Sequence, residues 1–232
     1  MEGGINIFVL ISFPLTEDTP TPGGRKPLHF VNDESLKNGD VANSFYYTSW
    51  NHAGTHVDAP GHMIPNGKSI TDLDINYFIF DRPYIKDIPK ADAKLITIED
   101  LMASEREMAE CDILLIRTGF TKYRLADPVR YRDRNPGLSL DAARYLASNR
   151  FPKLRAVGID SISFASSAYM EEGIESHKVL FRKEGPKAVL LIEDLNLSLD
   201  LGLLKTIKRV YVVPFLVVGL DSSPCTVLAE GD

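Results

Sequence analysis

Cysteine is nearly missing from this sequence: Cys111 and Cys225 are the only two among 232 residues. Two thiols can build neither a disulfide-stapled scaffold nor a cysteine-based zinc site. Long apolar runs are missing as well. Stretches such as residues 5–15 and 188–192 fall far short of the ~18–20 residues that a membrane-spanning helix needs. Positive charge is in deficit, with 26 Lys+Arg against 32 Asp+Glu and a net charge of −6. A nucleic-acid module needs a concentrated basic face, so that class is set aside. The first residues carry neither a basic n-region nor a small-residue cleavage pattern. The expectation is a cytoplasmic protein with no membrane and no nucleic-acid partner. What is present is a 44% hydrophobic composition over a length that can bury a sizeable core.

Apolar patterning alternates between strand and helix. Residues 5–11 read as a first strand ended by Pro14, and residues 19–27 (T-P-T-P-G-G-R-K-P) as a loop or arm. Residues 44–51 are aromatic and β-branched, as strands are. Thr97 followed by Asp100 predicts a capping box opening a helix to about Ala109. Residues 112–118 form a short buried strand closed by Gly119. After the Asn135-Pro136-Gly137 turn, Ser139 can cap a helix whose apolar side carries Leu140, Ala143 and Leu146 or Ala147. Strands follow at residues 156–160, 187–193 and 209–218, with a helix at 175–183 stopped by Gly185-Pro186. This alternation predicts one α/β domain over residues 1–232 with a mixed sheet, residues 1–43 holding the first strand and the Pro/Gly-rich loop. Asp160 and Glu193 fall at strand ends, where α/β folds place ligands.

The chemistry concentrates in residues 52–62, H-A-G-T-H-V-D-A-P-G-H. Three of the five histidines and one carboxylate share eleven positions. Imidazole with carboxylate is a natural ligand set for a borderline divalent metal such as zinc, manganese or iron. Gly54 and Pro60 argue against a continuous helix, so an extended path is expected. On that path His56 and Asp58 share one face, and Gly54 lets the backbone turn so that His52 converges on them. Three protein ligands leave coordination positions for water, as catalytic sites do. His62, beyond the Pro60-Gly61 bend, is placed to act on whatever the metal binds.

This segment resembles the H-x-G-T-H-x-D-x-P-x-H motif of the cyclase family of metal-dependent hydrolases, which includes bacterial kynurenine formamidase and isatin hydrolase. The likeness extends through residues 63–70, with Gly67 and Ile70, and through I-L-L-I-R-T-G at 113–119 and I-E-D-L-N-L at 192–197. The resemblance implies a swivelling β/β/α fold, a mixed sheet or flattened barrel flanked by helices. It makes His52, His56 and Asp58 ligands of a first metal, with Asp58 bridging to a second held by His177 and Glu193. It makes His62 the general acid/base. One or two divalent ions per subunit, zinc or manganese, are implied, in a homodimer or homotetramer whose arm or loops help line a partner's site. Asp160 is expected to orient a ligand imidazole. The formamidases carry a tryptophan in the early loop; here Thr21 stands near that position, and the only tryptophan is Trp50. Thr21 and Trp50 are therefore the candidate substrate contacts. His29 receives no role.

The expected activity is hydrolysis of an amide C–N bond by metal-activated water, with N-formylkynurenine as the candidate substrate. A cyclic amide (lactam) or lactone substrate is the alternative within the same chemistry. A metal-stabilised, non-catalytic binding protein is the alternative outside it.

Overall fold

The computed structural model describes residues 7–182 and 188–231. The strands within them are β1 (Ile7–Leu10), β2 (Leu28–Glu34), β3 (Ser44–Ser49), β4 (His56–Asp58), β5 (Ile79–Phe80), β6 (Pro83–Asp87), β7 (Leu95–Ile96), β8 (Ile113–Arg117), β9 (Gly137–Leu138), β10 (Ala156–Ile159), β11 (Leu190–Glu193), β12 (Ile207–Pro214) and β13 (Ser222–Gly231). The helices are α1 (Ile98–Met102), α2 (Glu105–Glu110), α3 (Tyr123–Ala126), α4 (Pro128–Asp133), α5 (Leu140–Ala147), α6 (Met170–Phe181) and α7 (Leu201–Lys205).

A nine-stranded mixed sheet organises the molecule, in the order β5-β12-β13-β4-β11-β10-β8-β6, with β1 added on β13. The β6-β8-β10-β11 half is parallel, and everything from β4 to β5 runs antiparallel. β12 also approaches β6, so the sheet curls nearly into a barrel flanked by helices, the mixed α/β architecture expected. In β8, Ile113 and Leu115 face a core inside the curl with Val57, Phe80 and Val227, while Leu114 and Ile116 face a second core under α5 and α6. Covering both faces accounts for the uninterrupted apolar run in that strand.

The capping box at Thr97 and Asp100 is present and opens α1, but the helix breaks at Ala103–Ser104 and restarts as α2. The cap at Ser139 is present too, its hydroxyl accepting from the Ala142 N–H. α6 begins five positions before the predicted start. Its buried residues are Gly173, Ser176, His177, Leu180 and Phe181, a helical spacing that opens on a glycine. A side chain at Gly173 would stand 2.5 Å from Ala165, so glycine allows close approach at the cost of a weak local helix signal. The predicted end of this helix, at Lys183 and Gly185-Pro186, and Lys187 at the start of the next strand lie outside the described residues. The predicted strand over 209–218 ends at Pro214. β13 was not expected, because Pro224 interrupts its run; Pro224 lies opposite His56, and the ladder continues with Cys225 N–H donating to the Thr55 carbonyl.

Candidate metal centre

Gly54 takes φ +64, a left-handed conformation that glycine adopts without strain, and the chain then enters β4 carrying His56, Val57 and Asp58. Period-two alternation points His56 and Asp58 to one side and Val57 into the inner core. β11 pairs antiparallel with β4 so that Glu193 lies opposite His56. α6 crosses behind and supplies His177. Residues up to 137 positions apart in the chain (56 to 193) thereby converge on one buried spot.

Among the described residues, three sets of His/Asp/Glu side chains have ligand atoms within 4.8 Å of one another: His52, His56 and Asp58; Asp58, His177 and Glu193; and His52, His62 and Asp221. The first two sets share Asp58, so the structure brings together the side chains that the family resemblance groups as ligands. His56 donates its Nδ1–H to the Gly54 carbonyl at 2.8 Å, so Nε2 is the nitrogen turned to the cluster and, once deprotonated, the one that can ligate a cation. That Nε2 sits 3.5 Å from Asp58 Oδ1 and 3.4 Å from Glu193 Oε2. His56 Nε2 and Asp58 Oδ1 are buried with no hydrogen bond of their own. Two orphaned buried ligand atoms side by side are what a cation site requires, since each would otherwise carry a full desolvation cost. The nitrogen-and-oxygen donor set fits a divalent metal ion.

The other ligand-type side chains are held by partners within and around these sets. His177 Nδ1–H donates to the Gly173 carbonyl at 2.7 Å, and Nε2 lies 3.1 Å from Glu193 Oε1. The same oxygen accepts from Ser163 Oγ at 2.9 Å and from the Phe164 N–H at 2.8 Å. His52 Nδ1 lies 3.1 Å from Asp58 Oδ1, and its Nε2 lies 3.0 Å from Ser222 Oγ. Burial resists charge on His56, yet the Asp58 and Glu193 carboxylates lift its pKa to about 9. Burial opposes the ionised Glu193 carboxylate as well, but the two imidazoles hold it well below the usual carboxylate range. The cluster thus concentrates negative charge that only cations, protons or a metal, can balance.

A cavity of about 300 Å³ opens onto this cluster, with Asp58, His62, His177 and Glu193 among its walls. Trp50 lines it, with the Arg25 guanidinium 5.1 Å from its ring centre. Thr21 does not line it. That residue is buried, its hydroxyl donating to the Arg25 carbonyl within its own loop, while the neighbouring Pro22 and Gly23 reach the cavity. Asp160 is also placed differently from the expectation. Its carboxylate accepts from the Thr118 N–H and hydroxyl, the Gly119 N–H and the Thr121 hydroxyl, so it ties β10 to the loop after β8 rather than orienting an imidazole. His29 is half exposed beside Glu17 and Lys26, away from the site.

Sequence reasoning missed Asp221, which precedes β13 and lies 2.9 Å from His62 Nδ1, and Ser163, which holds Glu193. The one available hint was a polar D-S-S trio at 221–223 between two apolar runs.

The comparisons with known proteins agree with this architecture. The family model described as "Putative cyclase" matches residues 9–166, which takes in the 52–62 segment and stops before His177, Glu193 and Asp221. Cyclase-like protein 2 of Arabidopsis thaliana is 32% identical over 194 residues, covering 82% of this chain and 66% of that protein. A kynurenine formamidase of Bacillus mycoides is 28% identical over 156 residues, covering 65% of this chain and 66% of the relative. The chain thus spans about two thirds of the length of these two relatives. Isatin hydrolase A from Labrenzia aggregata superposes with a TM-score of 0.77 at 21% identity, over 97% of this chain and 94% of that one. With the family model spanning most of the chain and the 52–62 motif inside it, this protein belongs to the cyclase family.

Proposed function

We propose that this protein is a metal-dependent hydrolase that cleaves an amide C–N bond, with an N-formylated arylamine such as N-formylkynurenine as the candidate substrate. The observation that carries the reading is the pair of orphaned buried ligand atoms, His56 Nε2 and Asp58 Oδ1, in a cluster whose Asp58, His52, His177 and Glu193 line a cavity large enough for a single aromatic ring and its side chain. His52, His56 and Asp58 would hold one ion, and Asp58, His177 and Glu193 a second. A divalent cation, zinc or manganese, would polarise the substrate carbonyl and lower the pKa of water from 15.7 toward about 7. The chain does the rest. Ser163 and Phe164 N–H fix Glu193, Gly54 and Gly173 carbonyls fix the tautomers of His56 and His177, and Trp50 offers an aromatic face to the substrate ring. His62 takes a proton from the attacking water and returns it to the departing nitrogen.

A closed structural site would surround its ion with protein ligands; here a cavity and an additional histidine face the cluster, which favours catalysis. Kynurenine formamidases among the relatives support the amide reading. Metal analysis of the purified protein, with hydrolysis assays on N-formylkynurenine, isatin and simple lactones, is the test. Turnover of the formamide in proportion to bound metal is expected. Turnover of isatin or lactones alone moves the substrate to cyclic compounds, and a bound metal without any hydrolysis overturns the reading.

The same proposal includes a homodimer or homotetramer. Among the described residues β2 and β3 pair with each other alone, and they leave Phe30, Phe45, Tyr46 and Tyr47 exposed. A two-stranded ribbon is marginal alone, so an assembly that covers it is expected in sedimentation velocity.

A further inference from the structure

We propose that Asp221 is the positioning residue for His62, deciding which ring nitrogen carries the proton. This inference rests on the reading of His62 as acid/base. Asp221 Oδ2 lies 2.9 Å from His62 Nδ1. A carboxylate only accepts, so Nδ1 keeps its hydrogen and Nε2 is left free to exchange a proton at the substrate. The carboxylate is itself held. Its Oδ1 accepts from Asn51 Nδ2 at 2.9 Å, and Asn51 Nδ2 also donates to Ser222 Oγ at 2.6 Å. The backbone is fixed as well: Ala59 N–H donates to the Asp221 carbonyl at 2.8 Å, and Ile70 N–H to the Leu220 carbonyl at 2.9 Å. Ser222 pairs with Asp58 across β4 and β13, which ties the dyad to the ligand strand. In the reaction, water forms the new C–O bond as the C–N bond breaks. Its proton passes through His62 Nε2 to the amine, while the Nδ1–H stays with Asp221 throughout.

Asn51 makes the isosteric variant decisive. In Asp221→Asn, the Asn51 N–H retains the amide oxygen at the Oδ1 position. The new NH₂ group then occupies the Oδ2 position and donates to Nδ1, forcing the ring proton onto Nε2. The expected result is a kcat loss of about 10²-fold or more with KM within about twofold and metal stoichiometry unchanged. Long-range ¹H–¹⁵N spectra of histidine-labelled protein, with His62 assigned by its absence in His62→Gln, should show the tautomer change. Asp221→Ala should instead give a mixture of tautomers and an intermediate rate. The proposal is overturned if Asp221→Asn leaves His62 in the Nδ1–H form. It is equally overturned if kcat stays within threefold of wild type while His62→Ala loses its turnover. Loss of one metal equivalent would overturn it too, by making Asp221 a ligand beside His62 and His52, whose Nε2 lies 3.7 Å away. Full activity in His62→Ala would remove the acid/base reading instead, and the tautomer spectrum would still decide whether Asp221 orients the ring.

Discussion

Removing Arg124 should unfold this protein more readily than any surface ion pair would suggest, and the structure gives the size. Arg124 and Asp194 are both buried. The guanidinium donates from Nε at 2.8 and 3.0 Å and from Nη2 at 2.7 Å, and Tyr131 adds its hydroxyl to Asp194 Oδ1 at 2.6 Å. The flat face of Arg124 lies 4.0 Å from the Phe13 ring centre, so the charge is packed as well as paired. Arg124→Met keeps much of the packing but leaves Asp194 as a buried carboxylate that, among the described residues, Tyr131 alone answers. Breaking a buried pair from one side costs about 3–5 kcal/mol. For a chain of this length, each kcal/mol corresponds to roughly 2–4 °C in Tm, so a fall of about 6–20 °C is expected. Urea denaturation of the metal-saturated protein measures it. The double variant Arg124→Met with Asp194→Asn should regain most of the loss, because neutral asparagine needs no counter-charge and tolerates the left-handed backbone at φ +56 that Asp194 adopts. Equal losses in the single and double variants, or a single-variant loss below about 1 kcal/mol, would refute the charge argument. The consequence reaches the site, because Asp194 directly follows Glu193 and its carbonyl accepts the Thr55 hydroxyl at 2.6 Å.

Asp58→Ala should abolish binding of both ions together, since both ligand sets contain that carboxylate; elemental analysis that still finds one tightly held ion would contradict the bridging role. Gly67→Ala should destabilise by about 1–3 kcal/mol, because its Cβ would stand 2.7–2.8 Å from the Pro60 backbone and the Gly61 nitrogen, and thermal melts read it. Asp100→Ala should cost about 1 kcal/mol at neutral pH through loss of the α1 capping box. Partial burial raises the Asp100 pKa, but Lys90 and Thr97 outweigh it and hold it below 3.8. Its stabilisation is therefore present above pH 3.8 and lost as pH falls through the folded value, so the wild-type and variant stability curves should converge in acid.

Local rules made much of this legible. Period-two spacing puts His56 and Asp58 on one face, Gly54 licenses the turn that admits His52, and Thr97 and Ser139 cap helices where expected. Each of these depends on residues only a few positions apart. Local rules failed where two elements trade preferences: Gly173 hid the first turns of α6 because its value lies in contact with Ala165, and Pro224 hid β13 because its missing N–H falls at a tolerated ladder position. Asp160 looked like a site residue because it ends a strand at the expected edge, and only its four hydrogen bonds show it serving the loop beside it. The opening scarcity of cysteine and the clustering of histidine determined, from sequence alone, that any ion here is held by nitrogen and oxygen around residues 52–58. The family resemblance pointed to His177 and Glu193, and only tertiary structure shows them lying beside Asp58 and adds Asp221 next to His62. β11 and β13 flank β4 through strand pairing, and pairing between distant segments leaves no trace in the local periodicity of either.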